Sequence, residues 1–468
     1  MDLTVLNRSL RDKAARNTGI TMPAFFDKLL SILRSRRGKD MRFLCRHLLS
    51  QRGEASQTAL AQEIINTYAA MDDVQRVRFY EILCREFSPD PTALRKAATN
   101  YLEDPNERNL SLLSAAAEPP RQELIRRINT APGGTETLVA IRKHLLDLPA
   151  KSPNLSALDA DLRHLFRSWF NRGFLSLKRI TWQTSALILE KLIQYESVHE
   201  INGWPDLRRR LQSDRRCFAF FHPALADEPI IFVEVALANE LTGDLERLLD
   251  VGAPVLTPDK VNTAIFYSIN NCLDGLRGIP FGNFLIKQVV VELATELPNI
   301  KNFCTLSPLP RFSHALLDRY NTEGFTSRRL SALLADYAPS LTEAAKQRDP
   351  VEALYSLLER PVANRDTLGA PLRRLAFAYL TKMRKDGKVY DQVASFHLSN
   401  GARLEEINAF GNLRPYGLKA SFGTTINYRY VREELEENHE RFVTGGQIRI
   451  SDNLSREHES VEKAWHSS

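Results

Sequence analysis

Four short stretches of the sequence combine residue types and spacings that suit chemistry. The first is Gly275-Leu276-Arg277-Gly278-Ile279-Pro280-Phe281-Gly282-Asn283. Glycines, lacking a Cβ, let backbone N–H groups approach a diphosphate, and Arg277 adds positive charge. The second is Ser307-Pro308 with Pro310 close behind, a hydroxyl whose backbone is fixed by proline and so suited to being held against a substrate. The third is His397 in Phe396-His397-Leu398, read as an apolar strand running into an Asn400-Gly401 turn. Histidine is the side chain that changes charge nearest neutrality. The fourth is Asn427-Tyr428-Arg429-Tyr430, whose phenols could line a pocket. Each also has a plainer reading: a strand-to-helix turn, a Ser-Pro turn, a hydrogen-bonded core histidine, a strand with alternating faces. His199, His222 and His314 are weaker candidates of the same type as His397. No Gly-x-Ser-x-Gly elbow offers a hydrolase nucleophile, and no HExxH or other tight His/Asp/Glu cluster suggests a metal.

The elements that must position these residues change character along the chain. Over residues 22–175 apolar residues recur at three and four, as in Phe26, Leu29, Leu30 and Leu33, or Leu60, Ile64, Tyr68 and Met71. That period predicts a bundle of about six to eight helices. Leu158, Leu162, Leu165, Phe166 and Trp169 form the clearest stripe, stopped by Asn171-Arg172-Gly173. Beyond residue 174 the runs become short and rich in aromatic and β-branched residues. Residues 217–221, 230–237 and 264–269 read as strands, the first two separated by His222-Pro223 and Asp227-Glu228-Pro229. A loop over 270–281 then precedes a striped helix over 283–297, an order that can aim N–H groups and a helix dipole at phosphate. Helical spacing returns after residue 313, and 389–398 reads as a strand again. The expected fold is therefore α+β: an all-helical domain over 1–175, a mixed domain over 176–432 whose sheet is divided by a helical insertion, and a polar, partly ordered tail over 433–468.

Composition narrows the class. With 468 residues, 43% hydrophobic and 26% charged, the chain is an ordinary folded protein of two or three domains. Lys plus Arg number 63 against 57 Asp plus Glu, a net charge of +6, too small an excess for a dedicated nucleic-acid binder. The longest apolar runs, 229–237 and 289–293, fall short of the roughly 20 residues a membrane span needs. The five cysteines form no CxxC pair, which points to a reducing compartment. With no apolar secretory segment in the first ~20 residues, a cytoplasmic location is the default expectation.

Read together, these segments resemble the malonyl-CoA decarboxylase family. The likeness runs in order through Trp169-Phe170, Gly173-Phe174-Leu175, Arg215-Arg216-Cys217-Phe218, residues 264–269, Gly278 with Gly282, Leu306-Ser307-Pro308, Phe396-His397-Leu398 with Asn400-Gly401-Ala402, and residues 427–430. The loop is also similar in part to the Arg/Gln-x-x-Gly-x-Gly diphosphate loop of acetyltransferase-type (GNAT-like) folds. Counted from Arg277, Gly282 fits the second glycine and Pro280 stands where the first would be. The resemblance implies a helical domain followed by an acetyltransferase-type catalytic domain. It also implies that Ser307 and His397 match the family's proton-accepting serine and proton-donating histidine, that Tyr430 matches an active-site tyrosine, and that Arg277, Gly278, Ile279, Pro280, Phe281, Gly282 and Asn283 match its acyl-CoA-binding loop. Some members carry glutamate at the position of Pro280. The implied reaction turns malonyl-CoA into acetyl-CoA and CO2 through an enolate. It needs no cofactor beyond the coenzyme A carried by the substrate, because the thioester is the electron sink. With an ordinary pKa of about 6.5, His397 would donate the proton near neutrality, hydrogen-bonded to Ser307. The implied partners are malonyl-CoA, acetyl-CoA and further copies of the chain (dimer or tetramer), with no nucleic acid or membrane. Two other readings of the same fold are a coenzyme A-dependent acyltransferase and a non-catalytic acyl-CoA sensor.

Overall fold

The computed structural model describes residues 40–149, 153–279, 284–318 and 324–466. Phe26, Leu29, Leu30 and Leu33 lie outside the described residues, as do Pro280, Phe281, Gly282 and Asn283 of the glycine-bearing loop. The chain forms two compact units, Met1–Trp169 with Asp274–Ile279, and Phe170–Leu273 with Pro280–Ser468.

In the first unit the described residues form eight helices between Met41 and Trp169. Their starts are written locally. Asp72 and Gln75 form a reciprocal capping box for helix Asp73–Glu86, and Pro91 and Pro120 each open a helix where a missing N–H costs nothing. Leu60, Ile64 and Tyr68 are buried on one face of helix Glu54–Ala69, as their spacing requires. Helix Gly134–Asp147 carries the segment 274–279 against it. Gly275 packs so tightly there that a Cβ would sit 2.0 Å from the Val139 carbonyl oxygen, so no other residue fits without movement.

The second unit is built on an eight-stranded sheet. Its strands are β1 (Ser176–Ile180), β2 (Arg215–Phe221), β3 (Ile231–Ala238), β4 (Thr263–Asn271), β5 (Asn302–Thr305), β6 (Ser307–Pro308), β9 (Arg403–Asn408) and β10 (Thr425–Arg429), while β7 (Arg384–Lys385) and β8 (Lys388–Val389) form a separate hairpin. The order is β1-β2-β3-β4-β5-β10-β6, with β9 also on β10. Every pair is antiparallel except β4 with β5. Strands β2 and β3 are buried on both faces almost throughout, which is why they read as continuous apolar runs. The helices from Phe312 to Lys382 form the insertion between β6 and β9.

Two expectations need correction. Residues 389–398 are not a strand: β8 ends at Val389, and His397 lies in the last turn of helix Gln392–Ser399. Asp391 caps that helix by accepting the Ala394 N–H at 2.9 Å, and Ala394, His397 and Leu398 are buried at the i, i+3, i+4 positions of a helix face. Nor are residues 433–466 only a polar, partly ordered tail. Helices Leu435–Gly445 and Ser455–His466 are formed there, Leu454 and Val461 are fully buried, and Arg373 and Arg374 of helix Arg365–Lys382 bond to Glu457 and Ser460. A narrow apolar stripe on an otherwise charged helix lowers the average hydropathy without loosening the packing. No helix among the described residues is long and apolar enough to cross a membrane.

Candidate active site

Strand β10 organises the site. Its Ile426 pairs with Ser307 of β6, and past its end the Tyr430 N–H bonds the Phe303 carbonyl oxygen at 2.8 Å. Between β5 and β6 the Leu306 N–H bonds back to the Phe266 carbonyl oxygen at 2.9 Å, and Pro308 fixes the backbone on the far side of the serine. Thr305 and Ser307, two apart along this extended segment, therefore face the same way. Asn427 secures the frame by donating to the carbonyl oxygens of Thr305 (2.7 Å) and Thr242 (3.1 Å) and accepting from Asn408 at 2.7 Å.

Onto this frame helix Gln392–Ser399 lowers His397. Its Nε2 lies 3.0 Å from Ser307 Oγ and its Nδ1 2.7 Å from the Tyr430 hydroxyl. The Tyr428 ring stacks on the imidazole with centroids 4.7 Å apart. Ser307, His397 and Tyr430, spread over more than a hundred positions in the chain, thus form one connected group, all buried. Thr305 joins it: Ser307 Oγ donates to Thr305 Oγ1 at 2.8 Å, and that oxygen also accepts the Tyr428 N–H at 3.1 Å.

Burial sets the protonation. It pushes the His397 pKa down to about 3, because no water remains to solvate an imidazolium. It pushes the phenols of Tyr430 and Tyr428 up. A neutral imidazole carries one N–H. Since Ser307 spends its proton on Thr305, it accepts from His397 Nε2–H, and Nδ1 accepts from the Tyr430 hydroxyl. This tautomer follows from the hydrogen-bond network, and it turns the Nε2–H toward the serine. The expectation of an imidazole with an ordinary pKa is corrected here, since sequence could not show that the ring is sealed from water. Below His397, Asp391 accepts from Tyr379 at 2.9 Å while capping the helix, and burial pushes its carboxyl pKa up. The Tyr428 hydroxyl finds no hydrogen-bond partner among the described residues. Such a group can position a hydroxyl, hold a carbonyl or carboxylate oxygen, and move a proton at Nε2.

The loop residues fall elsewhere. Arg277, Gly278 and Ile279 belong to the first unit. The Arg277 side chain is 61% exposed and pairs with Asp274 at 2.8 Å, Gly278 adopts a left-handed φ of +74°, and Ile279 is buried. Pro280, Phe281, Gly282 and Asn283 are outside the described residues. The residue that sequence reasoning missed is Thr305. Its signal was the Thr-x-Ser spacing on an extended segment, which places two hydroxyls on one face. Among the described residues no group of three His, Cys, Asp or Glu side chains could hold a metal ion.

Comparison with known proteins agrees with this architecture. Residues 173–467 match the model of the malonyl-CoA decarboxylase C-terminal domain, and residues 87–170 that of the N-terminal domain. The mitochondrial malonyl-CoA decarboxylase of Anser anser anser is 31% identical over 412 residues, covering 84% of this chain and 82% of that protein. The crystal structure of malonyl-CoA decarboxylase from Rhodopseudomonas palustris superposes with a TM-score of 0.80 at 43% identity, covering 90% of this chain and 99% of that one. The structure of malonyl-CoA decarboxylase from Agrobacterium vitis gives 0.77 at 42%, covering 89% and 99%. With both domain models matched in order and most of each relative covered, the chain belongs to the malonyl-CoA decarboxylase family.

Proposed function

We propose that the chain decarboxylates malonyl-CoA to acetyl-CoA and CO2, with Ser307, His397 and Tyr430 at the reacting end of the thioester. The observation that carries this reading is a hydroxyl and an imidazole 3.0 Å apart, both buried. In the reaction the bond between the carboxylate carbon and C2 breaks, its electron pair moves into the thioester carbonyl, and CO2 leaves. C2 of the resulting enolate then takes one proton, supplied ultimately by solvent. A dry site favours the first step, because it replaces the hydration of a localised carboxylate charge with fixed dipoles while that charge spreads over the enolate. The Ser307 hydroxyl, now bonded to Thr305, is the donor for a substrate oxygen. His397 stays neutral while CO2 leaves, and the negative charge of the enolate then offsets the desolvation of an imidazolium. The ring then takes up a proton, keeps Tyr430 as the partner of Nδ1, and delivers the Nε2 proton to C2. The loop from Arg277 to Asn283 grips the coenzyme A diphosphate.

Incubating the purified chain with malonyl-CoA and no acyl acceptor yields acetyl-CoA and CO2 in equal amounts, with turnover on the order of 1–1000 per second. Tight binding without turnover, or a requirement for an amine acceptor, contradicts the reading. The pH dependence follows from the depressed histidine. A free-enzyme pKa of about 3 leaves His397 neutral at all higher pH, so kcat/KM has no limb near the ordinary histidine value of about 6.5. The expected profile is flat to within about threefold between pH ~5.5 and ~8. A drop of about tenfold as pH falls through that value would show that the resting imidazole titrates normally.

A further inference from the structure

Thr305 is the last residue of β5, paired with Phe266 of β4, and it is fully buried. The peptide that follows it is held at both ends. The Thr305 carbonyl oxygen accepts from Asn427 at 2.7 Å, and the Leu306 N–H donates to the Phe266 carbonyl oxygen at 2.9 Å. A β-branched side chain on a backbone fixed in this way has little freedom at χ1, so Oγ1 is a stationary acceptor. It accepts from the Tyr428 N–H at 3.1 Å and from Ser307 Oγ at 2.8 Å, which occupies both lone pairs of the hydroxyl oxygen.

The Ser307 hydroxyl has one proton and two acceptors within reach, Thr305 Oγ1 at 2.8 Å and His397 Nε2 at 3.0 Å. Burial keeps the imidazole neutral, so the ring carries a single N–H. With the serine proton on the Thr305 side, Nε2 donates to Ser307 and Nδ1 accepts from Tyr430 at 2.7 Å. With the serine proton on the Nε2 side, the N–H sits on Nδ1 and Tyr430 accepts. No heavy atom need move between the two arrangements, yet they differ in what the serine can do. In the first, Ser307 can turn its proton to a substrate oxygen: Thr305 answers by donating its own hydroxyl proton to Ser307 Oγ, and the Nε2–H stays on that oxygen. In the second, the same turn leaves the Nε2 lone pair facing the serine oxygen with no proton between them.

We infer that Thr305 is a positioning residue: it takes the Ser307 proton in the resting protein, which keeps the His397 proton on Nε2 and leaves the serine ready to donate to the substrate. The inference rests on the proposed function, in which Ser307 meets a substrate oxygen and Nε2 delivers the proton to C2.

The test reads the tautomer and the rate in the same proteins: the unaltered full-length chain, Thr305→Val, Thr305→Ala and Thr305→Ser. Each is labelled with nitrogen-15 histidine, the His397 signals are identified by their loss in His397→Gln, and the shifts of the two ring nitrogens show which carries the proton at neutral pH. The N–H is expected on Nε2 in the unaltered chain and in Thr305→Ser, and on Nδ1 in Thr305→Val and Thr305→Ala, where the serine proton has only the imidazole to go to. In those two variants kcat for malonyl-CoA falls by about 10- to 100-fold with KM within about threefold, and in Thr305→Ser it returns to within about threefold of the unaltered chain. Thr305→Val keeps the side chain's shape; if it does not fold, Thr305→Ala, which removes the same acceptor, decides the matter. An N–H on Nδ1 in the unaltered chain overturns the inference. So does a tautomer that stays on Nε2 after the acceptor is removed, since any loss of rate then comes from packing alone. An unaltered chain that consumes no malonyl-CoA overturns the proposed function, and the part given to Thr305 with it; normal turnover beside an unmoved tautomer overturns this inference only.

Discussion

His397→Ala lowers kcat for malonyl-CoA decarboxylation by a factor on the order of 100–10,000 and leaves the affinity for acetyl-CoA within about threefold. The size follows from the loss of the only side chain in the connected group that can carry a proton to carbon near neutrality. Tyr430, its phenol pushed up by burial, does not substitute. On the proposed function the ring contacts the reacting end and the nucleotide is gripped elsewhere, so the affinity is spared. The substitution also removes a 2%-exposed ring and takes the partner of the Tyr430 hydroxyl, so it costs stability, about 2–5 kcal/mol for a cavity of this kind. His397→Gln, which refills much of the space, separates the two effects. An equally inactive but more stable His397→Gln assigns the loss to chemistry. Rates near those of the unaltered chain in both variants would count against the site.

Ser307→Ala is the second large effect, also expected to lower kcat on the order of 100- to 10,000-fold. It deletes one oxygen and leaves the strand pairing with Ile426 intact. On the proposed function it removes the donor that meets a substrate oxygen, and with it the acceptor that orients the His397 Nε2–H. Because the change is small and sits on a strand held by Pro308 and Leu306, stability falls only by about 1–3 kcal/mol. A steady-state rate within about threefold of the unaltered chain would mean that Ser307 is a spectator.

Much of this architecture was legible before any coordinates, and the reasons are local. Strands β2, β3 and β4 announced themselves because two-sided burial forces unbroken apolar runs, and the helical unit because its buried faces recur at three and four. Ser307-Pro308 stood out as a constrained hydroxyl. The misreadings have equally local causes. The helix of His397 is eight residues long, short enough that its apolar run resembles a strand, and its capping residue Asp391 was the overlooked signal. The C-terminal helices bury too few residues to register in a polar composition. Two properties could not be read from the chain at all, because they depend on distant neighbours. One is the dryness that moves His397 from an ordinary pKa to about 3. The other is the placement of Arg142, which in sequence is one more basic residue on a helix and in space is bonded to the backbone of Gly275 and Arg277.

The central claim is that Ser307 and His397 act as one unit on the same reacting centre. Residues that work this way lose their effect together, so the second removal adds little to the first. The most direct test is the turnover of malonyl-CoA by the double variant Ser307→Ala/His397→Ala beside the two single variants. The account predicts a double variant within about threefold of the more damaged single one. Losses that multiply, so that the double variant falls by the product of the two single factors, would show that the hydroxyl and the imidazole contribute independently and contradict it.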